Sequence, residues 1–343
     1  MTEMLTRAPG DGTIASSYSL AKPYGVATCH PHFGELLQGA FAVEKGGHHR
    51  TVRALVSVHM PHANGSQAHA ILEPSRMGKF VPQVGRTGVQ VKPNHFYKCE
   101  LAARLALDAF GMRNMAAKLE VRTMVPEGAG MGSSTSGVVA SIRAIARSVA
   151  AYRGSRVLLA PHLQAKLAVA AEHACDSLMF DCTSSTILFA HRMGKVVQVF
   201  NGPLPQMYIL GFDTGAANSG IGTDRLPRAR YSRDQIAAFG CALAVLERAI
   251  SEQSVALAGR VATFSAIQSE SALQNPLKKP KFDELLRIKE DIGSAGIVVA
   301  HSGTVAGLIF DPNLPDLRSR MDEAKAAIGR LGFDIRCTFS TPY

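Results

Sequence analysis

The sequence predicts an α+β protein, and three observations lead there. Strands and helices are intermixed without the regular β-α-β alternation of a doubly wound sheet. A half-buried strand over residues 117–125 runs straight into a glycine-rich loop and then a helix. Near the C-terminus, two apolar strands broken by Ser302-Gly303-Thr304 stand between long helical stretches.

Taken in order, residues 26–29 and 51–59 read as strands on either side of a turn-rich stretch, 30–47. Phe96, Leu101, Leu105 and Phe110 recur at helical spacing over 95–110, whereas Leu119, Val121 and Thr123 alternate with Lys118, Glu120 and Arg122 as in a strand. Helices are expected over 135–150, with Val138, Val139, Ile142 and Ile145 on one face, and over 161–174. Strands at 186–190, 195–200 and 206–212 precede helices at 232–252, 255–268 and 281–292. Strands at 295–301 and 305–310, a helix at 314–331 and a strand at 333–339 close the chain. Two lobes are expected, 25–200 and 201–343, with the boundary somewhere in 180–215.

The 343 residues suffice for two cores, and 46% hydrophobic with 19% charged residues fits a folded protein rather than a disordered one. No run of about eighteen apolar residues occurs, so no transmembrane helix is expected. The first residues are small and polar without a compact apolar core; a secretory signal is not expected, and residues 1–24 read as a flexible leader. The net charge of +10 (37 basic against 27 acidic residues) would suit nucleic acid, but the basic residues are scattered and no aromatic-interleaved stripe appears. Neither a nucleic acid nor a membrane is expected as partner; oligomeric state is open, a homodimer included. Cysteines 29, 99, 175, 182, 241 and 337 form no C-x-x-C pair and no zinc-like cluster, which points to reduced thiols and a cytoplasmic location.

The most informative segment is Pro126-Glu127-Gly128-Ala129-Gly130-Met131-Gly132-Ser133-Ser134-Thr135-Ser136. Its glycines allow positive φ and close backbone approach, so successive N–H groups can form a concavity for anionic oxygens. Ser133, Ser134 and Thr135 add hydroxyls where a helix N-cap belongs, and the helix dipole adds positive potential at the same place. It is not a Walker A loop, which needs a lysine, nor G-x-G-x-x-G, whose third glycine is replaced here.

The whole string resembles the second motif of the GHMP kinases, written P-x-G-x-G-L-G-S-S-A, with Met131 for Leu and Thr135 for Ala. Two further segments fall in the family's order. Gly34-Glu35-Leu36-Leu37-Gln38-Gly39 is similar to the first motif of the branch containing L-threonine kinase, and Ala300-His301-Ser302-Gly303-Thr304-Val305 is similar to its third. The resemblance implies a two-lobed GHMP-kinase-like fold, with a ribosomal-S5-like N-terminal lobe and a ferredoxin-like C-terminal lobe. It also implies ATP and Mg²⁺, and a small hydroxylated metabolite as acceptor, with L-threonine or a related hydroxy-amino acid first.

Carried over residue by residue, the resemblance implies ATP contacts from Pro126, Gly128, Ala129, Gly130, Met131, Gly132, Ser133, Ser134 and Thr135. Substrate contacts are expected from Glu35, Gln38, His301, Ser302, Gly303 and Thr304. Glu35 is expected in a loop after a strand. Mg²⁺ favours oxygen ligands, and Ser134 with Glu172 is the expected pair. Asp176 is the catalytic candidate, as general base or as the anion orienting the hydroxyl, with Asp181 its nearby competitor. The related proteins carry E-P-T-D here; in this chain the Glu-to-Asp interval is one residue longer and His-Ala-Cys replaces Pro-Thr. His30 and His173 are lesser candidates for phosphate or substrate contact, and Cys175 for lining the pocket. Asp213-Thr214-Gly215 evokes aspartic proteases, but a single triplet in this context excludes that enzyme.

Overall fold

The computed structural model describes residues 23–45, 48–74, 88–157, 159–215, 230–272 and 279–342. Residues 1–22, most of the expected leader, lie outside them. Two sheets organise the described residues. The smaller has four strands in the order β1-β4-β6-β5: β1 (Tyr24–Cys29), β4 (Ser66–Pro74), β6 (Met115–Thr123) and β5 (Val89–Lys92). Along β6, buried Met115, Ala117, Leu119 and Val121 alternate with half-buried Ala116 and exposed Lys118, Glu120 and Arg122, so one face is buried and the other faces solvent.

Helix α2 (Ser133–Arg153) lies on the buried face, flanked by α1 (Tyr97–Ala109) and α3 (Pro161–Glu172). Its approach to β1 is backbone-close: a Cβ on Gly25 would stand 2.2 Å from the Ala144 carbonyl oxygen. Leu119, Val121, Val138, Val139, Ile142 and Ile145 share one core there. At roughly 1.5–3 kcal/mol per fully buried large aliphatic side chain, this packing fixes where the N-terminus of α2 points.

The larger sheet has eight strands in the order β12-β9-β11-β10-β2-β3-β7-β8. From the first part of the chain come β2 (His32–Lys45), β3 (His48–His59), β7 (Ile187–Ala190) and β8 (Lys195–Val199); β9 (Tyr208–Asp213), β10 (Gly296–Val299), β11 (Val305–Phe310) and β12 (Asp334–Ser340) follow. The expected lobe boundary near residue 200 therefore falls between β8, at one edge of the sheet, and β9, next to the strand at the other edge. Apolar residues of β9 to β11 go to two cores. Ile209, Val298 and Ile309 pack with α4 (Arg233–Ser251) and α5 (Val255–Ala272). Leu210, Ile297, Leu308 and Phe310 pack with α6 (Phe282–Ile292) and α7 (Leu317–Arg330). Strands covered on both faces read as unbroken apolar runs, as β10 and β11 do.

One expectation is corrected. Residues 32–45 are not a turn-rich stretch but the long strand β2, antiparallel to β3. Glycines 34 and 39 suggested turns. Gly34 instead sits at φ 64° beside register shifts on both sides of Glu35, a bulge that bends the strand without ending it. Gly39 lets Phe239 lie flat on the strand, since a Cβ there would stand 2.5 Å from that ring. Strands β4 and β5 were not expected at all.

Phe239 is fully buried and meets Phe41, Tyr231 and Phe264. Phe239→Ala is expected to cost about 3–5 kcal/mol in chemical denaturation. Gly39→Ala is expected to lower Tm through the same ring, and Phe239→Leu to recover part of that loss.

Candidate functional site

The glycine-rich loop leaves β6 and enters α2 with Gly128, Gly130 and Gly132 at φ of 76°, 83° and 70°. All three are left-handed conformations that side-chain-bearing residues rarely adopt. Gly132 is itself the N-cap of α2, and no side chain caps the helix. Ser133, Ser134 and Thr135 thus occupy the first turn instead of the capping position expected for them. Their backbone N–H groups carry the positive end of the dipole towards the cleft, a disposition that suits an anion.

The loop is knitted to both other motifs by backbone bonds. The His32 N–H donates to the Met131 carbonyl at 3.3 Å, and the Val305 N–H donates to the Ala129 carbonyl at 3.0 Å. Glycine is required at the contacts. A Cβ on Gly130 would stand 2.4 Å from that of Ala300, one on Gly132 2.5 Å from the His32 ring, and one on Gly303 2.1 Å from the Ala129 carbonyl.

Beside the loop lies a cleft of about 410 Å³ lined by Gly128, Gly130, Gly132, Ser133, Ser134, Thr135, Glu35, Glu172, Asp176, His301 and Ser302, together with His32, His191 and Lys98. Thr135 is its pivot. The Thr135 hydroxyl lies 2.9 Å from Glu172 Oε1 and 3.2 Å from Asp176 Oδ2, so its one proton serves one carboxylate at a time. Ser134 Oγ donates to Glu172 Oε2 at 2.7 Å. Between the two acids, α3 stops at Glu172 and His173 turns into the left-handed region at φ 65°. Both carboxylates still reach the same threonine.

Each acid has a different electrostatic setting. Burial of Glu172, with Asp176 close by, raises its carboxyl to about 7 despite the hydroxyls of Ser134 and Thr135. Asp176 is opposed by burial as well, but its ion pair with His32 (Nε2 to Oδ2, 3.1 Å) holds it at about 2. Burial likewise disfavours the charge on His32, yet Asp176, then Glu35 and the Gly34 carbonyl raise it to about 9. Burial lifts Glu35 to about 7 against the pull of His32; its Oε2 accepts the His301 N–H at 2.8 Å, so it ties the first motif to the third. Behind it, buried Lys279 donates to the Ala300 carbonyl at 2.6 Å and pairs with Glu270 at 3.5 Å.

The residues expected at the site divide into two groups. Gly128, Gly130, Gly132, Ser133, Ser134, Thr135, Glu35, Glu172, Asp176, His301 and Ser302 converge on the cleft, and Cys175 lines it too. Pro126, Ala129 and Met131 are outside its lining: Ala129 and Met131 pack against the neighbouring core, and Pro126 is exposed.

Gln38 is a correction. Its side chain leaves the cleft and donates to Ser269 on α5 at 3.1 Å, while its backbone N–H donates to Ser265. The bulge at Gly34 and the strand alternation beyond it put Glu35 and Gln38 in different surroundings. Gly303 packs on the loop backbone and Thr304 accepts from Thr214 through its carbonyl, so neither lines the cleft. Asp181 is exposed and held by Thr183 and Ser184, away from Thr135. Asp213 is bound to Arg336 at 2.9 Å. His173 is exposed.

Sequence reasoning missed His32, His191 and Lys279. For His32 the signal was its spacing of three from Glu35; for Lys279 and His191 there was none, because only the folded chain brings them near. His191 and His301 face each other with ring centroids 6.3 Å apart, and each keeps an Nδ1 without a partner among the described residues. Burial holds both rings neutral, at about 3 and about 4.

A pH dependence follows from the His32–Asp176 pair. The raised pKa of His32 means that its stabilisation is complete below its ordinary 6.5 and is lost as pH climbs through about 9. The depressed pKa of Asp176 keeps its share until pH falls towards about 2. The Tm advantage over His32→Gln is expected to shrink between pH 6.5 and 9. A constant difference across that window would contradict the charged pair.

Residues 94–183 match the family model described as the GHMP kinases N-terminal domain, a stretch that includes the glycine-rich loop, Glu172 and Asp176. An L-threonine kinase from Citrobacter freundii is 33% identical over 200 residues, 58% of this chain and 64% of that enzyme. An L-threonine kinase from Salmonella typhimurium strain LT2 is 28% identical over 211 residues, 61% of this chain and 65% of that one. In each case the match spans less than two thirds of the relative. Homoserine kinase from Cytophaga hutchinsonii superposes with a TM-score of 0.62 over 94% of this chain and 96% of its own, at 13% identity, which is a likeness of fold. Residues 94–183 are thus similar in sequence to the N-terminal domain of the GHMP kinases, and over nearly its whole length the chain has the fold of homoserine kinase.

Proposed function

We propose that this protein transfers the γ-phosphoryl group of ATP to the hydroxyl of a small metabolite, L-threonine or a related hydroxy-amino acid first. The observation that carries the proposal is the position of Thr135. It stands in the first turn of α2, where a phosphate would be held, and within hydrogen-bond reach of both Glu172 and Asp176. The machinery for donor and acceptor thus meets at one residue.

The loop from Gly128 to Thr135 would cradle the triphosphate through its N–H groups. Ser134 Oγ and Glu172, 2.7 Å apart and both oxygen donors, suit Mg²⁺, which would neutralise charge on the phosphate oxygens. Asp176, kept anionic by His32, would accept the hydrogen bond of the attacking hydroxyl and aim its lone pair at phosphorus. Paired with His32, this carboxylate would act chiefly as the anion that orients the hydroxyl. That is enough where the transition state is loose and the attacking oxygen needs little prior deprotonation. The new oxygen–phosphorus bond forms as the bond to ADP breaks, and the hydroxyl proton leaves with the phosphorylated product or to solvent.

At the acceptor end, Glu35 supplies a carboxylate for an ammonium group. His301, Ser302 and the unpartnered Nδ1 of His191 supply polar contacts for a carboxylate or hydroxyl. The L-threonine kinases among its relatives are the reason to test threonine first.

Three measurements test this reading. Purified protein with ATP and Mg²⁺ is expected to release ADP on addition of L-threonine, L-serine or L-homoserine in a substrate panel, with a phosphate ester seen by ³¹P NMR. Tight ATP binding without turnover on any hydroxylated metabolite would favour a nucleotide-binding regulator. Asp176→Ala is expected to lower kcat by on the order of 10²–10⁴ while ATP still binds. Because Glu172 must lose its proton to hold a cation, Mg²⁺ binding is expected to tighten as pH rises through about 7 and to release a proton in calorimetry. Glu172→Gln should abolish that proton release.

A further inference from the structure

Away from the cleft lining, three side chains from distant parts of the chain bring donor atoms to one point. His30 follows β1, His59 ends β3, and Cys182 lies in the loop that leaves Asp176. Their ring nitrogens and Sγ all lie within 4.8 Å of one another. His30 Nε2 stands 3.1 Å from His59 Nδ1. Two imidazole nitrogens on one tetrahedral zinc ion, each at about 2.0–2.1 Å, are about 3.3–3.4 Å apart, so the pair is nearly at ligand spacing already.

Two further features suit an ion. His59 Nε2 is 2.8 Å from Ser177 Oγ; an N–H donated there leaves Nδ1 with its lone pair towards His30 and Cys182. Metal-bound histidines commonly use their second nitrogen in this way. A cavity of about 20 Å³ lined in part by His59, Ser177, Asp181 and Cys182 adjoins the cluster, room for one small occupant. The plain alternative is a hydrogen bond between two neutral imidazoles. That accounts for the nitrogens but not for a thiol inside the same small radius.

We propose that His30, His59 and Cys182 form a site for one borderline-soft divalent ion of the zinc class, with a fourth position for water or another donor. Two nitrogens and a sulfur favour such an ion over Mg²⁺, which prefers oxygen. Binding forms two nitrogen–metal bonds and one sulfur–metal bond and releases the Cys182 thiol proton to the buffer. The ion would tie together the end of β1, the end of β3 and the loop after Ser177, the neighbour of Asp176. The site does not depend on the kinase reading.

The test uses the full chain, tag removed, stripped of metal by chelator dialysis and kept reduced. Co²⁺ is titrated as a spectroscopic probe. One equivalent is expected to give a near-ultraviolet thiolate-to-cobalt charge-transfer band with the strong visible absorption of four-coordinate cobalt, and Zn²⁺ should displace it. Excess Mg²⁺ should not. Cys182→Ser is expected to remove the band and weaken Zn²⁺ binding at least tenfold, as is His30→Ala, whereas Cys241→Ser leaves both unchanged. Circular dichroism melts verify that each variant is folded. A band that persists in Cys182→Ser, or Zn²⁺ binding equal in the wild type and the His30→Ala/Cys182→Ser double variant, would overturn the site. So would uptake of several ions without any charge-transfer band.

Discussion

The cleft depends on one electrostatic constraint: three carboxylates, Glu35, Glu172 and Asp176, gather in a largely buried space. Charges taken out of water are costly unless paired or hydrogen-bonded. Each acid here is compensated differently. Asp176 has the His32 imidazolium, Glu172 has the hydroxyls of Ser134 and Thr135, and Glu35 has the His301 amide with the field of His32 and Lys279. The compensating groups come from several segments: His32 from β2, Ser134 and Thr135 from α2, His301 from the β10–β11 turn, and Lys279. The fold must therefore bring β2, the N-terminus of α2, the end of α3 and the β10–β11 turn to one place to keep those charges satisfied. Removing one partner would strand a buried charge, which is why His32 matters although no substrate need touch it.

Close backbone approach makes this convergence attainable. The glycine-rich loop is bonded through Met131 to the start of β2 and through Ala129 to the start of β11. Gly130, Gly132 and Gly303 stand where any Cβ would collide. The glycines thus have two functions that composition alone cannot separate. They set the positive φ values that turn N–H groups towards an anion, and they let three strands of backbone touch. The second holds His32 over Gly132 and so couples the phosphate loop to the ion pair with Asp176.

Much of this was legible in the sequence, and the parts that were not share a cause. The strand–loop–helix unit from β6 to α2 could be read because its signals are local: alternation, spaced glycines, hydroxyls and a 3.6-residue period. So could most helices and the two C-terminal strands. Residues 32–45 were misread because glycines mark both turns and close contacts, and only the partner, Phe239 or Val299, tells which. Strands β4 and β5 were missed, although each alternates buried with more exposed residues. Gln38 was placed at the substrate by motif proximity, yet a bulge between it and Glu35 separates their surroundings. His191 and Lys279 were unreadable, as they reach the site only through the folding of both sheets. The His30–His59–Cys182 group is the same case: linear spacing shows no metal pattern because the ligands are 29 and 123 residues apart in sequence.

The pair Glu172 and Asp176 shows how environment can divide labour between like groups. Both touch the Thr135 hydroxyl, but one is lifted to about 7 and the other held at about 2. The lifted acid accepts from two hydroxyls and has no ion pair among the described residues, so a divalent ion beside Ser134 would bring the largest gain there. The depressed acid already has its cation in His32, and its remaining exposure faces the cleft, where a substrate hydroxyl would come. A carboxylate that needs a cation and one already paired beside the acceptor are the two parts that phosphoryl transfer requires, and burial with unequal partners separates them. The left-handed turn at His173, directly after Glu172, lets the chain reach Asp176 with both carboxylates still against Thr135.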